Sequence, residues 1–183
     1  MFNLTAAMAY CVSFSCGHSG LIMLCHCHSQ QPFAQCCQPY LDGIQTPATP
    51  LALMRSRYSA FVLGMGEYLL HSWHPDTRGQ LTADELTRLG HDTEWLGLTI
   101  VFARGSVTDQ TGVVEFKARY REEGRVVTLH ERSRFEQIAG HWLYRDGQHN
   151  PPKIGANQPC PCGATRNGIA TKYKHCCAKR RGL

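Results

Sequence analysis

The chain has 183 residues, enough for one ordinary domain with small appendages and too few for two cores that each carry a catalytic cleft. Its formal charge of +5 is unevenly placed, because residues 151–183 carry seven Lys or Arg side chains and no Asp or Glu. This segment therefore has a charge of +7 and the remainder a charge of −2. A positively charged surface for partner binding is expected only at the C-terminal end.

The N-terminal stretch lacks the features of an exported or membrane-bound protein. The first 54 residues contain no Lys or Arg, whereas a signal peptide needs a basic start. A Gly-His-Ser-Gly sequence at 17–20 interrupts the apolar residues before any run is long enough to span a bilayer. We therefore predict a cytoplasmic protein. Residues 1–24 are predicted to be a disordered extension, of which 1–22 either stay unstructured or do not belong to a native chain that begins at Met23.

Two cysteine clusters with the arrangement C-x-C…C-C follow, one near each end of the chain. The first consists of Cys25, Cys27, Cys36 and Cys37, and the second of Cys160, Cys162, Cys176 and Cys177. Four thiolates in two close pairs, joined by a loop that folds back, meet the tetrahedral S₄ demand of structural zinc. Disulfides are the alternative, but vicinal and C-x-C bridges are strained, and a reducing cytosol keeps thiols free.

The spacing thus predicts two closed zinc sites, each of structural rather than catalytic type. His26, His28 and His175 lie beside the cysteines, so a Cys₃His site remains an alternative to Cys₄. A module of about twenty residues, such as 155–179, cannot bury enough apolar surface to fold unaided, so the metal must stabilise it. Chelation is accordingly expected to unfold the ends and leave the middle folded.

Helices are predicted first in the region between the clusters. Apolar residues recur at intervals of three and four over 51–69, which is typical of an amphipathic helix. Gly64 and Gly66 are expected to break it in two. Thr82 with Glu85 three residues later predicts a capping box at the start of a further helix.

Strands are predicted next, because the apolar period changes from helical to two after Trp95. The predicted strands cover 95–102, 114–120, 126–137 and 141–146. Helices followed by an antiparallel meander predict an α+β domain in which the helices pack on one face of a curved sheet. The predicted domains are the extension at 1–24, an N-terminal zinc module at 25–44, the α+β domain at 45–150 and a basic C-terminal zinc module at 151–183.

A buried carboxylate is the main pocket candidate of the middle domain. Counting by twos places Glu131 and Ser133 on the apolar face of their strand, where a charge is costly unless it is paired. Arg55 or Arg57 is the predicted partner, and His74 could complete a pocket. The group would either line a ligand or active-site cavity or form a buried ion pair between helix and sheet. No nucleophile–base motif, phosphate loop or H-E-x-x-H sequence is present, which disfavours an enzyme.

The second cluster resembles the SEC-C motif, the zinc module at the C-terminus of the SecA translocase and in several small bacterial proteins. The resemblance implies that its four cysteines hold zinc. The loop at 163–175 is longer than the usual one by about five residues. The first cluster has the usual eight-residue spacer but carries His28 where the motif prefers glycine.

The middle segments resemble the YchJ family of bacterial proteins, which places a nuclear-transport-factor-2-like (NTF2-like) domain between two SEC-C motifs. The segments that carry the resemblance are LMRSRY at 53–58, WHP at 73–75, EWLGL at 94–98, EF at 115–116, HERSRF at 130–135 and WLYRDG at 142–147. The resemblance implies a cone-shaped α+β fold with a concave sheet. It implies no particular activity, because this fold hosts enzymes and binding modules alike.

The leading functional prediction is a non-enzymatic adaptor that binds two zinc ions. In SecA-like proteins the SEC-C module contacts the export chaperone SecB or the ribosome, so the resemblance implies a partner in the translation or export machinery. Ribosomal RNA is a further expected partner of the basic tail, whose cations include Lys172, Lys174, Lys179, Arg180 and Arg181. The alternatives are small-molecule binding or isomerase-like activity in the central cone and, last, a redox role for the thiols.

Overall fold

The structure is a computed structural model that describes residues 23–179. The predicted extension at 1–24 lies outside these residues except for Met23 and Leu24, and 180–183 of the basic tail lie outside them as well. Within the described part of the chain, no helix combines the length and the apolar character needed to cross a membrane.

The helices come first, as predicted. They are α1 (Gln38–Leu41), α2 (Pro50–Val62), α3 (Gly66–His71), α4 (Pro75–Arg78) and α5 (Ala83–Asp92). Helices α2, α4 and α5 begin at residues whose side chains cap the first turn. Helix α2 starts where the Thr49 hydroxyl accepts a hydrogen bond from the Ala52 backbone N–H, with Pro50 in the first turn. Gly64, at φ +63°, separates α2 from α3. The predicted capping box of Thr82 and Glu85 is present at α5.

The four predicted strands are also present and form one antiparallel meander. They are β1 (Glu94–Arg104), β2 (Thr111–Glu122), β3 (Arg125–Ile138) and β4 (His141–His149), paired in chain order. Register shifts interrupt β1 near Trp95 and near Ile100, and β4 at Arg145. Such irregularities bend and twist strands, which gives the sheet the curvature expected of the cone. The α+β architecture predicted from the sequence is therefore confirmed.

Helix α2 packs against β1, β2 and β4 and forms the centre of the main core. This core also contains three cysteines of the N-terminal cluster, Cys25, Cys27 and Cys37. The N-terminal module is thus continuous with the core of the middle domain.

The C-terminal module packs against the opposite face of the sheet. A smaller core joins Phe102 of β1 to cysteines of the second cluster. Phe102 is in register with Glu115, which alternates with the core residue Phe116 and so lies on the other face of β2. The two cysteine clusters therefore pack on two sides of the same sheet.

Candidate metal centres and central cavity

The four thiols of the N-terminal cluster converge on one point. Their Sγ atoms all lie within 4.8 Å of one another, with Cys27 to Cys36 at 3.7 Å and Cys36 to Cys37 at 3.8 Å. A tetrahedral centre with Zn–S bonds of about 2.3 Å requires sulfur–sulfur separations of about 3.8 Å. The arrangement therefore fits a single tetrahedral metal ion without rearrangement of the backbone.

The C-terminal cluster has the same composition and nearly the same size. Its Sγ atoms also lie within 4.8 Å of one another, with separations of 3.3 Å between Cys160 and Cys162, 3.5 Å between Cys162 and Cys176, and 4.0 Å between Cys176 and Cys177. Among the described residues, neither group of donor atoms includes a histidine. Both clusters can hold a metal ion in an all-sulfur shell.

The two clusters also share one backbone framework. The N–H of the residue after each C-x-C pair donates to the carbonyl of the first cysteine, 3.0 Å from His28 to Cys25 and 3.0 Å from Gly163 to Cys160. A single 3₁₀ turn, Phe33–Gln35 or Tyr173–His175, precedes each Cys-Cys pair. The modules are therefore two copies of one metal-binding loop.

The residue that follows the C-x-C pair differs between the two copies. His28 and Gly163 both adopt positive φ, +58° and +77°. Glycine enters this region without steric cost, whereas a side chain is strained there. This geometry explains why the motif prefers glycine, and it shows that the first module tolerates His28 in the same conformation.

The extra residues of the second module form a small hairpin. Strands β5 (Thr165–Arg166) and β6 (Ile169–Ala170) pair antiparallel around Asn167 and Gly168, which have φ +53° and +75°. Asn-Gly with two positive φ values is typical of a two-residue hairpin turn. The four sulfur atoms therefore still converge despite the insertion, which adds an exposed hairpin to the module.

Hydrogen bonds lower the pKa of one thiol in each cluster, whereas the pKa values of the Cys-Cys pairs, Cys36 and Cys37 and Cys176 and Cys177, are raised. Cys25 and Cys37 hydrogen-bond to Cys27 and hold its pKa far below the ordinary thiol value, with help from Ser29 and the Arg55 charge. In the second cluster burial raises the pKa of Cys160, but hydrogen bonds from the backbones of Cys162 and Cys177 outweigh burial and bring it to about 7. Thiolates at neutral pH are what a metal site requires.

Arg55 belongs to the N-terminal centre rather than to the pocket for which the sequence suggested it. Its Nη1 lies 3.0 Å from the Cys27 carbonyl and 3.7 Å from the Cys27 sulfur. Ser59, one turn further along α2, places its hydroxyl 3.7 Å from the Cys25 sulfur. Arg55 and Arg57 are two residues apart on a helix and so point to different sides, and only Arg57 faces the interior.

A cavity of about 240 Å³ lies between α2, the C-terminal half of α5 and the concave sheet. Its walls are mostly apolar and aromatic. The lining side chains are Met54, Arg57, Tyr58, Phe61, Trp73, Leu89, Trp95, Phe116, Ala118, Leu129, Glu131, Tyr144 and His149. Because Leu89 is 52% exposed and the His149 side chain 66% exposed, the cavity reaches the surface on their side.

Arg57 is the buried cation of this cavity. Its Nη1 donates to the Leu69 carbonyl at 2.8 Å and to the Ser72 hydroxyl at 2.6 Å, and its guanidinium lies over the rings of Trp73 and Tyr144. Burial lowers the pKa of Arg57 to about 10, which leaves the group charged at neutral pH.

Glu131 is the buried anion, and its contacts differ from those predicted. Its Oε1 accepts hydrogen bonds from the Ser133 and Tyr144 hydroxyls at 2.6 and 3.2 Å, and its Oε2 lies 3.2 Å from His149 Nε2. The sequence pattern pointed to an arginine partner. It missed Tyr144 and His149, because they reach Glu131 only through the pairing of β3 with β4 and the bulge at Arg145 of β4.

His74 lies outside the cavity lining. Its ring nitrogen Nδ1 caps α4 by accepting from the Asp76 N–H at 3.1 Å, and its Nε2 lies 3.2 Å from Arg145 Nη1. The neighbouring Trp73 does line the cavity. Of the four predicted pocket residues, the structure thus brings Arg57 and Glu131 into one cavity and places Arg55 and His74 elsewhere.

Comparisons with known proteins agree with this architecture. Residues 49–147 match the family model described as YchJ, middle NTF2-like domain. A UPF0225 protein of Serratia proteamaculans is 42% identical over 158 residues, which cover 85% of this chain and 98% of the relative. A UPF0225 protein of Photorhabdus laumondii is 41% identical over 160 residues, which cover 84% of this chain and 98% of that relative.

Two solved structures are similar over most of their length. A SEC-C motif containing protein from Rhodopseudomonas palustris has a TM-score of 0.63 and 33% identity, covering 69% of this chain and 98% of its own. Another from Psychrobacter arcticus has a TM-score of 0.61 and 29% identity, covering 86% of this chain and 97% of its own. Fold and cysteine clusters together define a metal-binding SEC-C protein with an NTF2-like middle domain. The chain belongs to the YchJ (UPF0225) family of bacterial proteins.

Proposed function

We propose that the protein is a non-enzymatic zinc protein, in which two Zn(Cys)₄ centres organise the chain around its middle domain. The observation that carries this proposal is the convergence of four Sγ atoms within 4.8 Å at each end of the described chain. Four protein ligands close a tetrahedral shell and leave no position for water or substrate, which is typical of structural zinc. A reducing cytoplasm, where we place the protein, keeps these thiols available for metal.

Metal content tests this proposal directly. Elemental mass spectrometry of protein purified without chelators should find about two zinc ions per chain, because each cluster offers one complete S₄ shell. Cys176→Ser/Cys177→Ser should lower the content to about one. The same pair of changes at Cys11 and Cys16, which lie outside both motifs, should leave it at about two. Protein without zinc, or with stoichiometric iron in its place, would contradict the proposal.

The exposed lysines of the C-terminal module support a second, adaptor role. Lys172, Lys174 and Lys179 are all exposed, while the cysteines beside them are held against the sheet through Phe102. A basic module that is anchored on one side and exposed on the other can present its charge to an acidic or phosphate-rich surface. We propose that this surface belongs to the translation or export machinery, with the ribosome as the first candidate.

Ribosome cosedimentation tests the adaptor role. Binding at low salt should weaken steeply as salt rises, and Lys172→Gln/Lys174→Gln/Lys179→Gln should reduce the salt slope by about three, one for each lost phosphate contact. Arg88→Gln/Lys117→Gln/Arg119→Gln removes the same charge from exposed positions of the middle domain and should have little effect. Equal losses in both triple variants would show non-specific attraction, and no binding at low salt would remove the ribosome as a partner.

A further inference from the structure

The N-terminal cysteine cluster needs a compensating cation that its own segment does not contain. Zn²⁺ with four thiolates carries a net negative charge, and two of the four cysteines, Cys27 and Cys37, are fully buried in the main core. Moving such a charge out of water is costly unless a cation or hydrogen-bond donors compensate for it. Residues 23–54 contain no Lys or Arg, so the segment that carries the cysteines cannot supply this cation.

The C-terminal module differs in this respect, because it carries cations of its own. Between 151 and 179 there are five Lys or Arg side chains, all exposed, and no Asp or Glu. Two of them, Lys174 and Lys179, lie only two residues from the Cys176–Cys177 pair. The second module therefore has compensating charge close to its own cysteines.

Helix α2 supplies the cation that the first module lacks. Arg55 is the first basic residue of the chain and lies outside the cysteine motif. Its Nη1 donates to the Cys27 carbonyl at 3.0 Å and to the Cys27 sulfur at 3.7 Å. A hydrogen bond from a charged donor is stronger than one between neutral groups, so this contact stabilises the thiolate form of a buried cysteine.

Two hydroxyl groups contact other sulfur atoms of the same cluster. Ser29 Oγ lies 3.3 Å from the Cys36 sulfur, and Ser59 Oγ lies 3.7 Å from the Cys25 sulfur. A metal-bound thiolate has no proton to donate, so the hydroxyl is the donor in each pair once metal is bound. Three of the four sulfur atoms therefore have a side-chain donor, and two of these donors, Arg55 and Ser59, come from α2.

We propose that Arg55 balances the charge of the N-terminal metal centre, so that this centre reaches full zinc affinity only when it is packed on α2 of the middle domain. Arg55 acts in this way only if the cluster binds zinc, as proposed above. One centre then depends on a residue outside its cysteine motif, while the other carries its own cations.

The zinc affinity of the N-terminal centre alone tests this role. Cys176→Ser/Cys177→Ser serves as the parent, because it keeps only that centre, and competition with a chromophoric chelator measures its affinity for Zn²⁺. Arg55→Gln keeps an N–H donor but removes the charge, and should weaken zinc binding by about 10- to 100-fold, the usual effect of losing a group that supports a metal ligand. Arg55→Lys restores the charge and should recover most of the loss. Arg88→Gln, a change at an exposed position of α5, should leave the affinity unchanged.

The possible results separate charge balance from a purely geometric role. Unchanged zinc affinity in Arg55→Gln would overturn the proposal. Equal losses in Arg55→Gln and Arg55→Lys would also overturn it, because they would show that only the geometry of the Cys27 carbonyl contact matters. A parent that retains no zinc would instead overturn the zinc proposal itself. Circular dichroism at saturating zinc shows whether each variant is folded. In the chain with both centres, Arg55→Gln should weaken the binding of one zinc ion, and equal weakening of both would contradict the assignment.

Discussion

Cys27→Ser/Cys37→Ser is expected to destabilise the whole middle domain, with a loss of ~10 °C or more in the thermal midpoint. Both cysteines are fully buried in the main core, so their centre is part of that core. Structural zinc contributes apparent binding energies of about 10–16 kcal/mol in small peptides, as much as the whole stability of a typical domain. Without the metal, the module would detach and expose the apolar surface of α2.

The matched change at the other end is expected to act locally. Cys176→Ser/Cys177→Ser removes a centre that joins only the smaller core around Phe102. The thermal midpoint of this double variant should stay within about 4 °C of that of the wild type, which corresponds to a loss of about 1 kcal/mol in the free energy of unfolding. Residues 155–179 should become sensitive to limited proteolysis. Circular dichroism melts with mass analysis of the fragments measure both effects. Equal shifts in the two double variants would contradict the packing described for the N-terminal module.

Arg57→Met is expected to lower the free energy of unfolding by about 3 kcal/mol, the lower end of the cost of breaking a buried charged network. The change removes the donor to the Leu69 carbonyl and the Ser72 hydroxyl, which both lie inside the core. It also removes the cation that lies over Tyr144 and leaves the Glu131 carboxylate without its balancing charge. Urea unfolding measures the loss.

Two further variants show whether the loss comes from burial and charge. Arg88→Met replaces an exposed arginine on α5 and should change stability by less than about 0.5 kcal/mol. Arg57→Met/Glu131→Gln should be less destabilised than the sum of its single changes, because neutralising Glu131 removes the uncompensated anion. An additive double variant, or an Arg57→Met protein as stable as the wild type, would contradict the charge balance assigned to the cavity.

Local sequence signals predicted the elements because their causes are local. The Thr82–Glu85 capping box, the break at Gly64 and the change from helical to alternating period each depend on residues within a few positions of one another. The cysteine spacing likewise predicted two S₄ groups, since each motif closes through its own loop. These features therefore needed no knowledge of how the elements pack.

Features that depend on packing between distant segments could not be read from the sequence. The expectation that chelation would spare the middle domain treated the N-terminal module as separate, whereas its cysteines share the main core. Arg55 was a pocket candidate because a helical projection places it at the edge of the apolar face of α2. The projection does not show that the N-terminal cysteine loop packs against this edge. His149 meets Glu131 only because β4 extends past the predicted end at 146.

Helix α2 connects the metal centre to the cavity. Arg55 and Ser59 contact the N-terminal cluster, while Arg57 and Tyr58 line the cavity on the adjoining surface of the same helix. The His28 ring also packs edge-on against Tyr58, with centroids 6.4 Å apart. The N-terminal cysteine cluster thus packs against the same helix that lines the cavity, so loss of a metal ion from this cluster is expected to disturb the cavity as well.

X-ray absorption at the zinc edge of the purified protein tests the central claim of two Cys₄ centres most directly. The structure predicts a shell of four sulfur atoms at about 2.3 Å around zinc, averaged over both centres, with no nitrogen or oxygen neighbour. A shell that includes nitrogen would instead place His26, His28 or His175 on the metal. That result, or a protein that retains no zinc, would contradict the account.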